Sequence, residues 1–207
     1  MTSHRPTVAV HATAAGLESV SEAVTASFAD DPVQQWVFAA AADPDAARGR
    51  FFRFFIEEYF ALGHLYTVSD GGSVRSAGAA MWAPPDRNIL QGDRVSDLIA
   101  LVTELLGDEA IPRLTELARA AEYRPPEPHF YLGILGVAPE HQGEGLGGVL
   151  VEPVLDACDR GGFVAHLESS NPRNLGFYER LGFVATDEYR LGGATGPLLT
   201  IMRRTPD

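Results

Sequence analysis

The segment that most restricts the fold is Val137-Ala138-Pro139-Glu140-His141-Gln142-Gly143-Glu144-Gly145-Leu146-Gly147-Gly148, which joins a strand-like run to a helix-like run. His129 to Val137 is rich in aromatic and aliphatic residues and reads as a strand, and Gly145 to Cys158 reads as a helix. Missing Cβ atoms let a ligand approach the main chain, and amides at a helix start carry partial positive charge. The loop is therefore suited to an anion such as a diphosphate; a turn used only for chain reversal is the other reading. Gly143, Gly145 and Gly148 also satisfy the dinucleotide pattern GxGxxG, with Glu168 at about the distance of a ribose-binding acid. Against that pattern, Ala138 to Gln142 intervene between strand and glycines, and only about 60 residues follow Gly148, too few for a doubly wound sheet.

Composition narrows the chemistry. With 207 residues, 45% hydrophobic and 21% charged, the chain is expected to form one domain over residues 1–207 with one sizeable core. All 16 basic residues are Arg, which removes lysine Schiff bases, Walker lysines and kinase-type lysines. The 28 acidic residues bring the net charge to −12, so phosphate backbones are repelled; no nucleic-acid partner is expected, and amines are the favoured partners. Cys158 is the single cysteine and can form neither an internal disulfide nor a cysteine-rich zinc site. It reads as a small buried residue on a helix rather than a nucleophile. His4, His11, His64, His129, His141 and His166 are scattered without an HExxH pattern, so no metal is expected. The start, MTSHRPTVAV, lacks the apolar core of a signal peptide, and no apolar run approaches the roughly 20 residues of a membrane span. The expectation is a cytoplasmic protein with no membrane partner.

Along the chain, Thr7 to His11 predicts a short strand, and Leu17, Val20, Val24 and Phe28 recur at helical spacing. Ala29-Asp30-Asp31-Pro32 stops that helix, and Gln34 to Phe38 resumes as a short helix or loop. Phe51, Phe54, Phe55, Tyr59 and Leu62 predict an amphipathic helix over 46–62 ending at Gly63. His64 to Ser69, Asp70-Gly71-Gly72 and Ser73 to Trp82 read as a hairpin ended by Ala83-Pro84-Pro85. Two helical patterns follow, Val95 to Leu106 and Ile111 to Tyr123, divided by Gly107 and Pro112. After Pro125-Pro126-Glu127-Pro128 come the strand and helix already named. A strand over 163–168, a helix over 172–181 and two strands over 183–191 and 197–202 complete the order. This alternation predicts an α/β chain with a mixed sheet.

Gln142-Gly143-Glu144-Gly145-Leu146-Gly147 resembles the Q/R-x-x-G-x-G/A acyl-CoA loop of the GNAT superfamily of N-acetyltransferases. Downstream, Glu168-Ser169-Ser170-Asn171-Pro172-Arg173-Asn174-Leu175-Gly176-Phe177-Tyr178-Glu179-Arg180-Leu181-Gly182-Phe183 resembles the same superfamily's Asn, Tyr and Gly-Phe segment. Gly136 to Gly143, Pro172 to Phe183 and the early Phe28-Ala29-Asp30-Asp31-Pro32 are similar to the puromycin N-acetyltransferase-like group. The resemblance implies a GNAT acyl-CoA N-acyltransferase fold whose central parallel strands splay apart, flanked by helices, with acetyl-CoA on one side and an acceptor amine on the other. One departure is Glu144, where the superfamily often has a basic residue.

On that basis acetyl-CoA, used as co-substrate without a metal, is expected to meet Leu135, Val137, Gln142, Gly143, Glu144, Gly145, Leu146, Gly147 and Gly148, together with Asn171, Arg173, Asn174 and Tyr178. Asn171 also suits a helix cap, and Arg173 suits either a CoA phosphate or a solvent-exposed cap. The family's strand is locally irregular near Leu135 to Val137, where backbone amides are expected to meet the oxyanion. Tyr178 resembles the tyrosine that protonates the departing sulfur. An alkyl ammonium, with a pKa of about 10.4, must lose a proton before attack, and Glu168 at the inner end of a cleft strand is the leading base. For the acceptor, Phe28, Asp30, Asp31, Trp36, Tyr131 and Glu168 combine aromatic surface with negative charge; the alternative is a plain core with Asp30 and Asp31 ending a helix. The expected activity is transfer of an acetyl group to a primary amine of a small molecule in a ternary complex, by a monomer or homodimer. Acetylation of protein N-termini and a non-catalytic CoA sensor are the alternatives.

Overall fold

The computed structural model describes residues 8–69 and 75–207. Thr7, the Asp70-Gly71-Gly72 turn, Ser73 and His4, all named above, lie outside the described residues. The first half alternates short strands with helices: β1 (Val10–His11), α1 (Leu17–Ser27), α2 (Pro32–Phe38), α3 (Pro44–Leu62), β2 (Leu65–Ser69) and β3 (Ser76–Ala83). α4 (Arg94–Leu106) and α5 (Ala110–Arg119) follow, then β4 (His129–Val137), α6 (Leu146–Gly161), β5 (Val164–Ser169), α7 (Leu175–Arg180), β6 (Val184–Arg190) and β7 (Leu198–Arg204).

Local chemistry sets the helix ends. Asp31 caps α2 by accepting the amides of Val33 and Gln34, with Pro32 at the first helical position where its missing N–H costs nothing. Asp43 and Pro44 open α3 in the same way, and Gly63 closes it in the left-handed conformation at φ 77°. Pro112 does not divide two helices. It sits in the first turn of α5, where the amide it lacks has no intrahelical partner.

The seven strands form one mixed sheet in the order β1-β2-β3-β4-β5-β7-β6. β7 is inserted between β5 and β6, antiparallel to both, and β4 with β5 is the parallel pair. Each face of the sheet carries its own core. Val20, Val24, Phe52, Ile56 and Val102 from α1, α3 and α4 pack on one face, and Leu150, Val154, Cys158 and Tyr178 from α6 and α7 pack on the other. No helix among the described residues is long and apolar enough to cross a membrane.

The β4–β5 pairing is short. It runs from His129↔Val164 to Leu132↔Leu167 and stops, although β4 continues to Val137. On the other side of β4, the register with β3 slips between Met81↔Ile134 and Trp82↔Leu132, leaving Gly133 as an extra residue. This bulge reverses the side-chain alternation: Phe130 and Leu132 before it, and Leu135 and Val137 after it, all face the α6 side. The irregularity thus falls at Gly133, ahead of the Leu135–Val137 stretch expected to carry it, and that stretch pairs regularly with β3. From Gly133 onward the other edge of β4 has no strand partner, and a gap opens between β4 and β5.

The lower end of this assembly is tied by Arg204 of β7. Its guanidinium grips Asp159 of α6 at 2.6 and 2.8 Å, and its Nε donates to the Leu181 carbonyl at 2.9 Å. This pairing holds the Asp159 carboxyl below its ordinary pKa. A depressed folded value means that the carboxylate's stabilisation is complete above its unfolded pKa, about 3.9, and is lost as pH falls through the lower folded value. Asp159→Asn should cost about 1–3 kcal/mol at neutral pH and flatten the acid limb of stability against pH. Urea melts from pH 7 to pH 3 check both; an unchanged acid limb would contradict the assignment.

Candidate active site

Parallel strands deliver the chain ends that follow them to the same edge of a sheet, and ligands of open α/β sheets bind at that edge. Here the segment after β4 is the glycine loop, and the segment after β5 is Ser170-Asn171-Pro172. Gly143 and Gly145 both adopt left-handed backbone, at φ 84° and 81°, and a Cβ at either position, or at Gly148, would meet nothing within 4 Å. The amides of Gly148 and Val149 turn back on the Gly145 carbonyl, and the amides just before them, in the first turn of α6, have no partner within the helix. Gln142 braces the loop by donating from Nε2 to the Val137 carbonyl at 3.1 Å. Glu144 is half-exposed and turns to His141, at 3.5 Å, so its charge is partly answered when that imidazole is protonated. Gly147 lies under the Phe177 ring, so close that a Cβ there would fall 3.1 Å from the ring edge, and this approach joins the loop to α7.

A cavity of about 480 Å³ begins in the gap between β4 and β5 and extends under α3, α4 and α5. Of the residues expected at the co-substrate or acceptor site, Phe28, Tyr131, Leu135, Glu168, Asn174 and Tyr178 line it. Asn171 lies beside it and caps the turn that follows β5, its Oδ1 accepting the Arg173 amide at 3.0 Å, while Arg173 itself is exposed. Asp30, Asp31 and Trp36 are not among the lining residues. Asp30 is exposed. Asp31 is buried at the head of α2 and accepts a short hydrogen bond from the Ser170 hydroxyl, which fastens α2 to the β5 end of the cleft. Trp36 packs away from the cavity, with the Arg113 guanidinium 3.9 Å above its ring.

The polar groups of the cavity gather at its floor. Glu168 is nearly buried, and its Oε1 lies 3.2 Å from Nε2 of His166. Burial first, and then the Glu168 charge, push Tyr131 well above the ordinary phenol value. Tyr59, wholly buried on α3, is also pushed up, chiefly by burial. Arg124 stacks over Tyr131 at 4.4 Å. Tyr178 stands against Phe177 and Phe183, and its hydroxyl makes no hydrogen bond to another described residue. Burial, aided by the Asp31 charge, raises its pKa and keeps it protonated. Cys158 is fully buried on α6, and burial pushes its thiol to about 11, so it stays an inert thiol. Among the described residues no group of three or more His, Cys, Asp or Glu could hold a metal ion.

Several lining residues escaped the sequence reading. Phe51, Phe52 and Tyr59 look identical in sequence to core positions of α3, and the α4–α5 wall of Leu98, Leu114 and Leu117 has no motif. His166 did carry a signal. It lies two residues before Glu168 on a strand, and that spacing puts both side chains on one face.

The model of the Acetyltransferase (GNAT) family matches residues 97–183. An uncharacterized N-acetyltransferase of Schizosaccharomyces pombe is 27% identical over 169 residues, covering 76% of this chain and 66% of that protein's own length, just under two thirds. Among solved structures, one from Corynebacterium glutamicum, named as histone acetyltransferase HPA2 and related acetyltransferase, superposes with a TM-score of 0.69 at 21% identity, over 98% of both chains. Arylalkylamine N-acetyltransferase 2 of Aedes aegypti gives a TM-score of 0.66 at 15% identity, over 98% of this chain and 100% of its own. These matches are to the superfamily, and the puromycin-related group within it rests on the sequence resemblance alone. With its splayed parallel pair and glycine loop, the chain has the fold of these acetyltransferases, and its residues 97–183 match the GNAT family.

Proposed function

We infer that the protein transfers an acetyl group from acetyl-CoA to the amine of a small, largely apolar molecule. The observation that carries this reading is one cavity lined by both Glu168 and Tyr178, and otherwise walled mainly by Phe51, Phe52, Phe55, Leu98 and Leu117. An amine with an aromatic or aliphatic body suits such walls, and a carboxylate at the floor suits its charged head. The amine acceptor in the name of the Aedes aegypti relative is consistent with this class.

The glycine loop fits the co-substrate. Gly143, Gly145 and Gly148 leave open space where side chains would stand, and the amides without a helix partner at the start of α6 match a pyrophosphate. Acetyl-CoA supplies an activated thioester carbonyl. Glu168 accepts a proton from the ammonium, making the nitrogen nucleophilic, and Tyr178 holds at Oη the proton that the leaving sulfur needs. The unpaired edge of β4 from Gly133 onward offers backbone amides to the developing oxyanion. The apolar walls exclude water and so protect the thioester from hydrolysis.

Acetylation of a protein N-terminus would need an open groove, and α4 and α5 instead wall this side of the cavity. Thiol release from acetyl-CoA with arylalkylamines, aminonucleosides and N-terminal peptides tests the assignment. Activity with the small amines is expected; activity confined to peptides, or none, would overturn it. Gly145→Val should weaken acetyl-CoA binding about tenfold, because a side chain in left-handed backbone costs about 1–2 kcal/mol and turning it out of that conformation re-aims the amides. Calorimetric titration reads the change, and unaltered affinity would remove the loop from the site.

A further inference from the structure

The proposed reaction must dispose of a proton. An ammonium acceptor loses two, one to the leaving sulfur and one to solvent, and the second leaves from Glu168 while the acceptor fills the cavity. Neither Tyr59 nor Tyr131 can receive it, since both phenols stay protonated beside the carboxylate. Next to Glu168 stands His166, 1% exposed, with Nε2 at 3.2 Å. Nothing in the packing of the core calls for an imidazole here. The residues flanking it on β5, Ala165 and Leu167, belong to the apolar cluster of the opposite face.

His166 also leads somewhere. The His129 ring is set edge-on to it at 5.7 Å, and His129 lines a second, polar cavity of about 450 Å³ that shares Arg124 and Tyr131 with the first. The other groups around His166 are accounted for. Tyr131 of β4 stacks at 5.8 Å, and Arg203 is its register partner on β7, with a guanidinium already paired to Glu127. His129 is held in place through Nδ1 and the Glu127 carbonyl at 2.8 Å.

We propose that His166 is a proton relay that carries the acceptor's proton from Glu168 toward the second cavity. This rests on the amine acetyltransfer inferred above. The ammonium N–H bond breaks as a proton joins the Glu168 carboxylate; that proton passes to Nε2 of His166, and Nδ1 releases one to water on the His129 side. The relay starts from the Nδ1–H tautomer; once the amide has left, the Nε2 proton returns through Glu168 to water entering the first cavity while Nδ1 regains one from water, so the tautomer is restored and one proton leaves per turnover.

His166→Gln keeps an amide group for Glu168 but cannot carry a proton. The test compares two acceptors, an alkylamine that is protonated at neutral pH and an arylamine that is already neutral. For the variant, the ratio of kcat/KM for the alkylamine to that for the arylamine should fall at least about tenfold at pH 7, and the deficit should close as pH rises toward the alkylamine's pKa. An equal loss for both acceptors would mark a structural role and overturn the relay, as would no loss for either. If the wild-type protein releases thiol with neither acceptor, the underlying activity fails and the relay falls with it. A wild type active on both, with an unchanged ratio in the variant, overturns the relay alone.

Discussion

Tyr178→Phe should lower kcat by about 10²–10⁴ while leaving the affinity for acetyl-CoA and the folding stability nearly unchanged. The size is that of losing a positioned general acid, the role proposed above for Tyr178. The selectivity follows from the surroundings of the ring. Its packing against Phe177 and Phe183, at centroid distances of 5.1 and 6.0 Å, is as available to Phe as to Tyr. The hydroxyl makes no bond to another described residue, so its removal strands no partner and should move stability by no more than about 0.5 kcal/mol. Burial and the Asp31 charge raise the phenol's pKa, which fully populates the acid form but makes proton loss uphill until the thiolate appears. In the proposed mechanism the proton therefore moves as the carbon–sulfur bond breaks, and only turnover should register its absence. Single-turnover kinetics with calorimetry of acetyl-CoA binding separate the two quantities. A variant with wild-type turnover would leave Tyr178 a packing residue, and a variant with weakened binding would put it on the co-substrate instead.

The contrast between α3 and the glycine loop explains how much of this site could be read from residues alone. The loop is legible because its chemistry is local. Glycines between a strand and a helix fix the backbone, so the left-handed turns at Gly143 and Gly145 could be anticipated, and a binding role proposed for them, without knowing what lies across from them. The cavity is not local. Phe51, Phe52, Phe55 and Tyr59 share one helical face with core residues such as Ala47 and Ile56, and only the opening of the sheet beside them decides which line a cavity. Asp31 and Trp36 show the converse. Their charge and aromatic surface looked like acceptor chemistry, but Asp31 is consumed by an N-cap and by Ser170, and Trp36 by Arg113. The insertion of β7 between β5 and β6 was equally hidden, because strand order depends on pairing across distant segments and leaves no periodic trace. The splay was readable as a family expectation, and its position was not, since a single Gly in a strand signals either a bulge or a close contact.

Gly133 is both, and the strongest stability prediction lies there. A Cβ on Gly133 would fall 2.1 Å from the Tyr59 hydroxyl oxygen and 3.1 Å from Cζ of the same ring. Tyr59 is 1% exposed and packed among the core residues of α3, so the ring can yield only by displacing packed neighbours or shifting toward the cavity it lines. Gly133→Ala should therefore destabilise the protein by about 1–3 kcal/mol through overpacking, and should lower kcat/KM because relief of the clash shifts the bulge from which the cleft opens. Shortening Tyr59 to Phe deletes the oxygen responsible for the worst overlap and leaves a contact that a shift of a few tenths of an ångström relieves. Tyr59→Phe combined with Gly133→Ala should then recover most of the lost stability, with a coupling of about 1–2 kcal/mol in the double-mutant cycle. Urea midpoints of the four proteins give the coupling directly. Additive losses would mean that Gly133 is required for its backbone conformation alone and that the hydroxyl of α3 does not set the shape of the bulge. A coupled cycle in which activity returns together with stability would tie the packing of α3 to the opening of the sheet, and so connect a contact made in the core to the geometry at which the acceptor amine is met.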